Sequence, residues 1–294
     1  MHSVPGRIVC CQHLHLQRIG MSTVVRIAAV SDVHYSKTSQ GSLAPLFATI
    51  AEQADILVIP GDLTDYGLVD EARALVKDLN SAVRIPIVAV LGNHDYESDQ
   101  VDDLKDVFTS AGVHLLDGDA VELLGVGFAG IKGFAGGFGR GALGPWGEPA
   151  IKAFVQDTVQ EALKLESALA RLTTEHKVAV LHYAPIRETV EGEPPEIFPW
   201  LGSSRLEEPL TRFEVNAVFH GHAHKGAPEG TTSTGIPVYN VSLAVLKANY
   251  PDKPPFRLFE IDTGAQSSAA ASGITATDKR NPARRSTDRS EVAS

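Results

Sequence analysis

Five apolar segments, each followed at once by polar residues, constrain the fold of this 294-residue chain more than any other feature. The segments are rich in β-branched residues and span residues 24–30, 55–60, 85–91, 178–181 and 215–219. Continuous apolar runs of this kind are typical of strands that are buried on both faces. Segments that predict helices alternate with them, at residues 43–53, 69–80, 101–111 and 150–172. The alternation predicts an α/β fold with a largely parallel core, and further short strands are predicted within residues 121–133, 236–241 and 256–261.

The polar residues that end these segments have the chemistry of metal ligands. They are Asp32, His34, Asp62, Asn93, His94, His182, His222 and His224. In parallel sheets ligands bind outside the carboxyl ends of the strands, which is where all of these residues lie. Carboxylate, imidazole and amide groups suit divalent manganese, iron or zinc, and the absence of thiolate argues against a soft-metal site. Since one ion uses only about four such groups, seven or eight of them predict two ions.

Each motif by itself has a plainer interpretation. An Asp-x-His, a Gly-Asp or an Asn-His-Asp sequence is also ordinary turn chemistry, and a His-x-His pair can belong to an exposed strand edge. The metal-site hypothesis depends on their co-occurrence, because all five motifs lie at the C-terminal end of a predicted buried strand.

The same motifs carry a family resemblance. The sequence resembles the calcineurin-like metallophosphoesterases in five blocks: Asp32-Val33-His34, Gly61-Asp62-Leu63-Thr64-Asp65, Gly92-Asn93-His94-Asp95, His182, and Gly221-His222-Ala223-His224. The resemblance implies a four-layer α/β/β/α sandwich with a dinuclear metal site at the C-terminal ends of the central strands.

The resemblance also implies a role for each residue. One ion would be held by Asp32, His34 and His224, the other by Asn93, His182 and His222, and Asp62 would bridge both. His94 would be a catalytic non-ligand that faces the substrate phosphate beside Asn93. Asp95 would be the second catalytic residue, and with Asp65 it would orient His94 and neighbouring ligands through hydrogen bonds.

The implied activity is hydrolysis of a phosphoester, foremost a phosphodiester, by a hydroxide that bridges two divalent ions. A histidine at His94 resembles the diesterase branches, including class III cyclic-nucleotide phosphodiesterases. Tyr183 stands where some of those enzymes carry a second histidine, and this departure weakens the cyclic-nucleotide interpretation. The alternatives are a phosphomonoesterase, a nucleotide or lipid pyrophosphatase, and a catalytically inactive binding scaffold of the same fold.

Charge and hydropathy narrow the range of partners. A net charge of −10 argues against a stable grip on nucleic acid and against a repair nuclease, so we expect a small phosphoester, for example a nucleotide. The longest apolar stretches are too short to cross a bilayer. The first twenty residues lack the apolar core and cleavage site of a secretory signal, so the sequence predicts a cytoplasmic protein.

Both ends of the chain differ in composition from the middle. We expect a dispensable leader at residues 1–21, a metallophosphoesterase domain at 22–262 and a disordered tail at 263–294. Both cysteines, Cys10 and Cys11, precede Met21, a possible second start. The histidines near them could complete a zinc site, but a structural site requires a second pair of ligands.

Two segments are predicted to shape specificity. The first is the glycine-rich stretch at residues 131–147 with Phe134, Phe138 and Trp146, and the second is residues 187–205 with Trp200. Their aromatic side chains could stack a nucleobase or pack under their own loops. The Gly-x-Gly-x-x-Gly pattern at residues 125–130 precedes the first segment, and we do not expect a dinucleotide site because no helix is predicted directly after it.

Overall fold

Alternating strands and helices build two sheets within residues 24–264, which a computed structural model describes. The predicted leader, its cysteines and nearly all of the predicted tail lie outside the described residues. The strands are β1 (Val24–Ala29), β2 (Ile56–Pro60), β3 (Ile87–Val90), β4 (His114–Leu115), β5 (Asp119–Leu123), β6 (Val126–Ile131), β7 (His176–Leu181), β8 (Ala217–His220), β9 (Glu229–Thr231), β10 (Pro237–Asn240) and β11 (Arg257–Asp262). The helices are α1 (Ala44–Gln53), α2 (Val69–Ala82), α3 (Val101–Ser110), α4 (Pro149–Ala170), α5 (Phe198–Leu201), α6 (Glu207–Arg212) and α7 (Leu243–Asn249).

The two sheets are mostly parallel, with antiparallel strands at their edges. One sheet has the order β11-β1-β2-β3-β4, in which only β11 is antiparallel to its neighbour. The other has the order β5-β6-β7-β8-β10-β9, in which β5 and β9 are the antiparallel edge strands. The central strands of both sheets are therefore parallel, as the continuous apolar runs predict.

The sheets pack face to face, and helices cover their outer faces. Side chains of β7 alternate between the two sides: Val178 and Val180 join the core between the sheets, whereas Ala179 and Leu181 pack toward α4. This two-residue period is the geometry of a pleated strand. The resulting layers are helix, sheet, sheet and helix, so the predicted fold class is confirmed. No helix between residues 24 and 264 combines the length and the apolar character needed to cross a bilayer.

The short strands predicted within residues 121–133 form a hairpin. Its strands β5 and β6 are joined by Leu124 and Gly125, whose φ angles are +52° and +82°. Two successive left-handed residues make the tight turn that suits antiparallel strands. The Gly-x-Gly-x-x-Gly pattern thus lies in this turn and in β6, and the next α-helix begins only at Pro149. The strands β4 and β9 and the helices α5, α6 and α7 were not predicted from the sequence.

Candidate metal centre

The five motifs meet where the carboxyl edges of the two sheets come together. Main-chain hydrogen bonds join the motif segments directly, from Asp32 N to the carbonyl of Gly61 (3.1 Å) and from His34 N to that of Asp62 (3.1 Å). In the second sheet, Gly221 N donates to the carbonyl of His182 (3.1 Å). The metal-ligand candidates are thus fixed by backbone contacts as well as by their own side chains.

Backbone strain concentrates at these motifs. Among residues 24–264, seven non-glycine residues have positive φ, and four of them are Asp32 (+56°), His34 (+41°), Asp62 (+49°) and His222 (+68°). Residues other than glycine rarely adopt a positive φ, because their Cβ atom then crowds the backbone. Such strain is typical of functional sites, where the surrounding structure holds it in place.

Two motif glycines allow the ligand candidates to approach each other. A Cβ atom added to Gly92 would lie 2.1 Å from Oδ1 of Asp62, and one added to Gly61 would lie 2.4 Å from Nδ1 of His182. Both distances are far below any real contact of a Cβ atom. A side chain at either position would therefore push a ligand candidate out of place.

The first cluster contains Asp32, His34, Asp62 and His224, whose potential ligand atoms lie within 4.8 Å of one another. His224 Nε2 is 3.0 Å from Asp32 Oδ1 and 3.4 Å from His34 Nε2, and His34 Nε2 is 3.7 Å from Asp62 Oδ2. Donor atoms around a tetrahedral zinc ion lie about 3.3 Å apart when the bonds are about 2.0–2.1 Å long. The cluster therefore has the spacing and the donor types of a divalent metal site.

The second cluster contains Asp62, His182 and His222, again within 4.8 Å. The amide oxygen of Asn93 joins it, because Asn93 Oδ1 is 2.9 Å from His182 Nε2. His182 Nε2 is also 3.3 Å from Asp62 Oδ1. The second predicted ligand set is thus brought together by residues that follow β2, β3, β7 and β8.

Asp62 belongs to both clusters through different oxygen atoms. Its Oδ1 faces His182, whereas its Oδ2 faces His34. The carboxylate is almost fully buried, and its Oδ1 also accepts the backbone N–H of His94 (2.9 Å). Burial alone would raise the pKa of Asp62, but the charge of His182 and the hydrogen bonds of His182 and His94 lower it below its usual range. The geometry and the ionised state both suit a bridging ligand.

Main-chain carbonyls fix which nitrogen of each histidine in the second cluster is free. His182 donates from Nδ1 to the carbonyl of Pro60 (3.0 Å), so Nε2 faces the cluster. His222 donates from Nε2 to the carbonyl of Trp200 (3.1 Å), which leaves Nδ1 for a ligand bond. Metal-binding histidines commonly donate their other N–H in this way.

The buried charges of the second cluster favour the binding of a cation. Burial alone would lower the pKa of His182, but its charge interaction and hydrogen bond with Asp62 raise it to about 9. For His222, burial and the nearby charge of His182 lower the pKa to about 3. The negative charges of the buried Asp62 and Asp32 carboxylates thus favour a positive charge on His182, and so a second proton on its ring. A divalent cation would replace this proton, because metal ligands must be deprotonated.

His94 lies beside the first cluster without joining its ligand set. Its ring packs edge-on against His34, with 4.5 Å between the ring centres. Nδ1 of His94 is 2.7 Å from the main-chain carbonyl of Asp65, which leaves Nε2 free to face a substrate. The Asp65 carboxylate is directed instead toward His34, 3.6 Å from its Nδ1. Asp65 thus orients His94 through its backbone rather than through its side chain.

Asp95 has a different position from the one expected for a catalytic residue. Its carboxylate is fully buried and accepts hydrogen bonds from Gly92 N (2.8 Å), Thr64 N (2.8 Å) and Leu63 N (3.2 Å). It makes no hydrogen bond to the His94 ring within the described chain. Burial and the charge of Asp62 raise the pKa of Asp95 to about 6. The expectation that Asp95 orients His94 is corrected: Asp95 ties the loops after β2 and β3 together, and so positions Asp62 and Asn93.

Three further residues support the centre and were not singled out as ligands or positioning groups from the sequence. Ser31 Oγ donates to Asp32 Oδ2 (2.5 Å), and Asn240 Nδ2 donates to the carbonyl of Ala223 between His222 and His224 (2.8 Å). The ring of Tyr183 packs 4.3 Å from that of His222. Asn240 lies inside the strand predicted at residues 236–241 rather than after it, so the rule that found the other motifs did not select it. The neighbouring His220 is buried in β8, and its Nε2 lies 2.8 Å from the Thr189 hydroxyl.

Comparisons with known proteins agree with this fold. The family model for calcineurin-like phosphoesterases matches residues 25–226. Phosphopantetheinyl hydrolase from Mycobacterium tuberculosis has 16% sequence identity to this chain, and its crystal structure gives a TM-score of 0.60 over 81% of this chain and 97% of that one. This likeness shows the fold alone. A protein from Thermus thermophilus (15% identity, TM-score 0.49, 82% of this chain and 100% of that one) is less similar. A putative 5′-nucleotidase from Staphylococcus aureus is also less similar, with 16% identity and a TM-score of 0.47 over 74% of this chain and 48% of that one. The search of curated proteins gave no match.

Proposed function

Because this chain belongs to the calcineurin-like phosphoesterase family, we propose that it is a hydrolase that cleaves a phosphodiester with two divalent metal ions. One ion would be held by Asp32, His34 and His224, and the other by Asn93, His182 and His222. Asp62 would be a ligand to both. Manganese, iron and zinc are the metals that this donor set suits.

The observation that carries the proposal is the division of the Asp62 carboxylate between two clusters. Oδ1 lies 3.3 Å from His182 Nε2 and Oδ2 lies 3.7 Å from His34 Nε2, so each oxygen faces a different set of imidazoles. A structural site for one ion would need only about four ligands. The remaining ligand candidates would then have no ion to bind. Every motif position is filled, which also argues against an inactive scaffold.

When bound, two such ions activate a water molecule and neutralise charge on the phosphoryl oxygens. The residues of the chain hold this arrangement rigid, because Pro60 and Trp200 orient two of the imidazoles and Asp95 ties the loops after β2 and β3 together. Positioning of this kind supplies a large part of the rate enhancement in phosphoryl transfer.

His94 is the general acid of this proposal. The carbonyl of Asp65 holds its Nδ1, and the protonated imidazole then donates a proton from Nε2 to the leaving oxygen of the substrate. Donation by a positioned side chain contributes about 10²–10⁴-fold to such reactions. The histidine at this position also underlies the preference for diesters, since it resembles the diesterase branches of the family.

The test is a comparison of kcat/KM for p-nitrophenyl phosphate, bis(p-nitrophenyl) phosphate, and cyclic and linear nucleotides. The protein is first treated with a chelator and then reloaded with manganese, iron, zinc or magnesium. We expect the diester to be the better chromogenic substrate. Faster cleavage of the monoester would replace the diesterase proposal by a phosphomonoesterase. Two bound metals without turnover of any ester would support a binding scaffold.

A further inference from the structure

The two segments predicted to shape specificity enclose a cavity of about 840 Å³, within the usual size range of small-molecule sites. The glycine-rich loop contributes Phe138 and Arg140, and the chain after β7 contributes Arg187 and Phe198. The remaining wall comes from β9 and the residues that follow it. The cavity thus combines aromatic faces with two guanidinium groups.

A hydrogen bond links the metal centre to a segment that lines this cavity. Gly136 N donates to the carbonyl of Pro199 (2.7 Å), and Gly137 N donates to that of Gly202 (2.8 Å), so the two specificity segments are joined. Pro199 lines the cavity, and the next residue, Trp200, accepts the hydrogen bond from Nε2 of His222. One wall of the cavity is therefore a single residue along the chain from the carbonyl that orients His222.

The acidic residues of the cavity are engaged with backbone groups. Glu188 accepts the N–H of Thr231 (2.8 Å), and Glu207 accepts that of Ser233 (2.6 Å). Their carboxylates therefore anchor the wall formed by β9 and do not pair with the arginines.

The arginines, by contrast, are available to a ligand. Within residues 24–264, Arg140 forms no ion pair or hydrogen bond through its side chain. Arg187 lies 3.6 Å from Glu191, but the two side chains are 64% and 59% exposed, and such surface pairs contribute about 0–1 kcal/mol. The Arg187 guanidinium also lies 5.5 Å from the centre of the Phe198 ring, which limits its orientation. Guanidinium groups in this setting recognise phosphate or carboxylate oxygens.

We propose that this cavity binds the leaving group of the substrate and that this leaving group carries a second anionic group, held by Arg140 and Arg187. The inference rests on the proposed function, since it places the scissile phosphodiester at the metal centre. It excludes a simple aryl ester as the best substrate, because a p-nitrophenyl group has no charge to offer the arginines.

The experiment compares two kinds of dinucleotide that differ by one distant phosphate group: thymidylyl-thymidine, and the same molecule with a terminal phosphate at its 3′ end or at its 5′ end. The metal-loaded wild-type protein should cleave one of the phosphorylated forms with a kcat/KM at least tenfold higher. Arg140→Gln combined with Arg187→Gln should abolish this preference, so that the dinucleotides with and without the terminal phosphate are cleaved with equal kcat/KM. Arg73→Gln removes an exposed arginine on α2 and is the matched control.

Calorimetric titration with slowly hydrolysed phosphorothioate analogues of the same dinucleotides measures binding independently of turnover. Equal kcat/KM values and equal affinities for the two dinucleotides would overturn the inference, even if bis(p-nitrophenyl) phosphate is cleaved and the proposed function stands. A preference that survives in the double variant would also overturn it. If no ester is cleaved, the proposed function fails, and the calorimetry alone decides whether the arginines bind the terminal phosphate.

Discussion

Replacing Gly61 with alanine tests whether the backbone after β2 is shaped to let His182 reach the metal centre. The residue has a φ of +86°, and an added Cβ would lie 2.4 Å from Nδ1 and 2.6 Å from Cγ of His182. Ordinary contacts begin at 3.4 Å, so the imidazole must retreat by about 1.0 Å. It cannot rotate away freely, because Nδ1 donates to the carbonyl of Pro60.

The expected cost has two parts that a control variant separates. Left-handed backbone costs an alanine about 1–2 kcal/mol of folding stability. Overpacking against His182 adds about 1–3 kcal/mol. Gly235→Ala carries only the first part, because Gly235 has a φ of +90° and no atom lies within 4 Å of its added Cβ. The difference between the two variants therefore measures the contact with His182.

Function should separate the variants further. Metal sites tolerate ligand displacements of only about 0.2 Å, so Gly61→Ala should bind about one ion per chain instead of two. A displacement of about 1 Å in a positioned group costs about 10²-fold in rate, which we expect in kcat/KM for bis(p-nitrophenyl) phosphate. Denaturant unfolding, metal analysis and steady-state kinetics provide the measurements. If Gly61→Ala matched Gly235→Ala in stability, metal content and kcat/KM, the reasoning from this close approach would be wrong.

Four other perturbations test separate parts of the molecule. Asp62→Ala should lose activity and bind one ion or none, because one carboxylate faces both clusters; two full equivalents by metal analysis would contradict the bridging role. His94→Ala should keep both metals. Its kcat/KM should fall less for an ester with an acidic leaving group, which needs little protonation, than for an ester with a poor leaving group. Equal losses of kcat/KM on both esters would exclude proton donation by His94. Burial alone would raise the pKa of Asp117, but hydrogen bonds from Lys105 and Lys164 lower this pKa below its usual value of 3.8. The ionised Asp117 carboxylate therefore stabilises the folded protein above pH 3.8. This stabilisation is lost as the pH falls through the lowered pKa. Asp117→Asn should therefore reduce the free energy of unfolding by about 1 kcal/mol at neutral pH and leave it unchanged in strong acid, as denaturant titrations over a pH series would reveal. A chain trimmed to residues 21–263 should retain kcat/KM and thermal stability, because the trimmed ends contain no motif residue; a tenfold loss of kcat/KM would show that an end contributes to the site.

The sequence by itself determined the fold class and the identity of the groups that meet. Apolar runs in β1, β2, β3, β7 and β8 require burial on both faces, which parallel strands between helices provide. Parallel strands end at the same edge, so the polar residues after them must meet there. The kinds of donor that these residues carry predict a divalent metal ion at this edge.

Only the tertiary structure decided how those groups are oriented. The carbonyls of Pro60, Asp65 and Trp200 select the free nitrogen of three histidines. Every residue carries the same backbone carbonyl, so no side-chain pattern can reveal which ones will accept these bonds. The same holds for Asp95, whose buried carboxylate binds loop amides rather than the His94 ring. The cavity, too, depends on two segments far apart in sequence that are joined by backbone hydrogen bonds, and such bonds exist only once the chain has closed on itself.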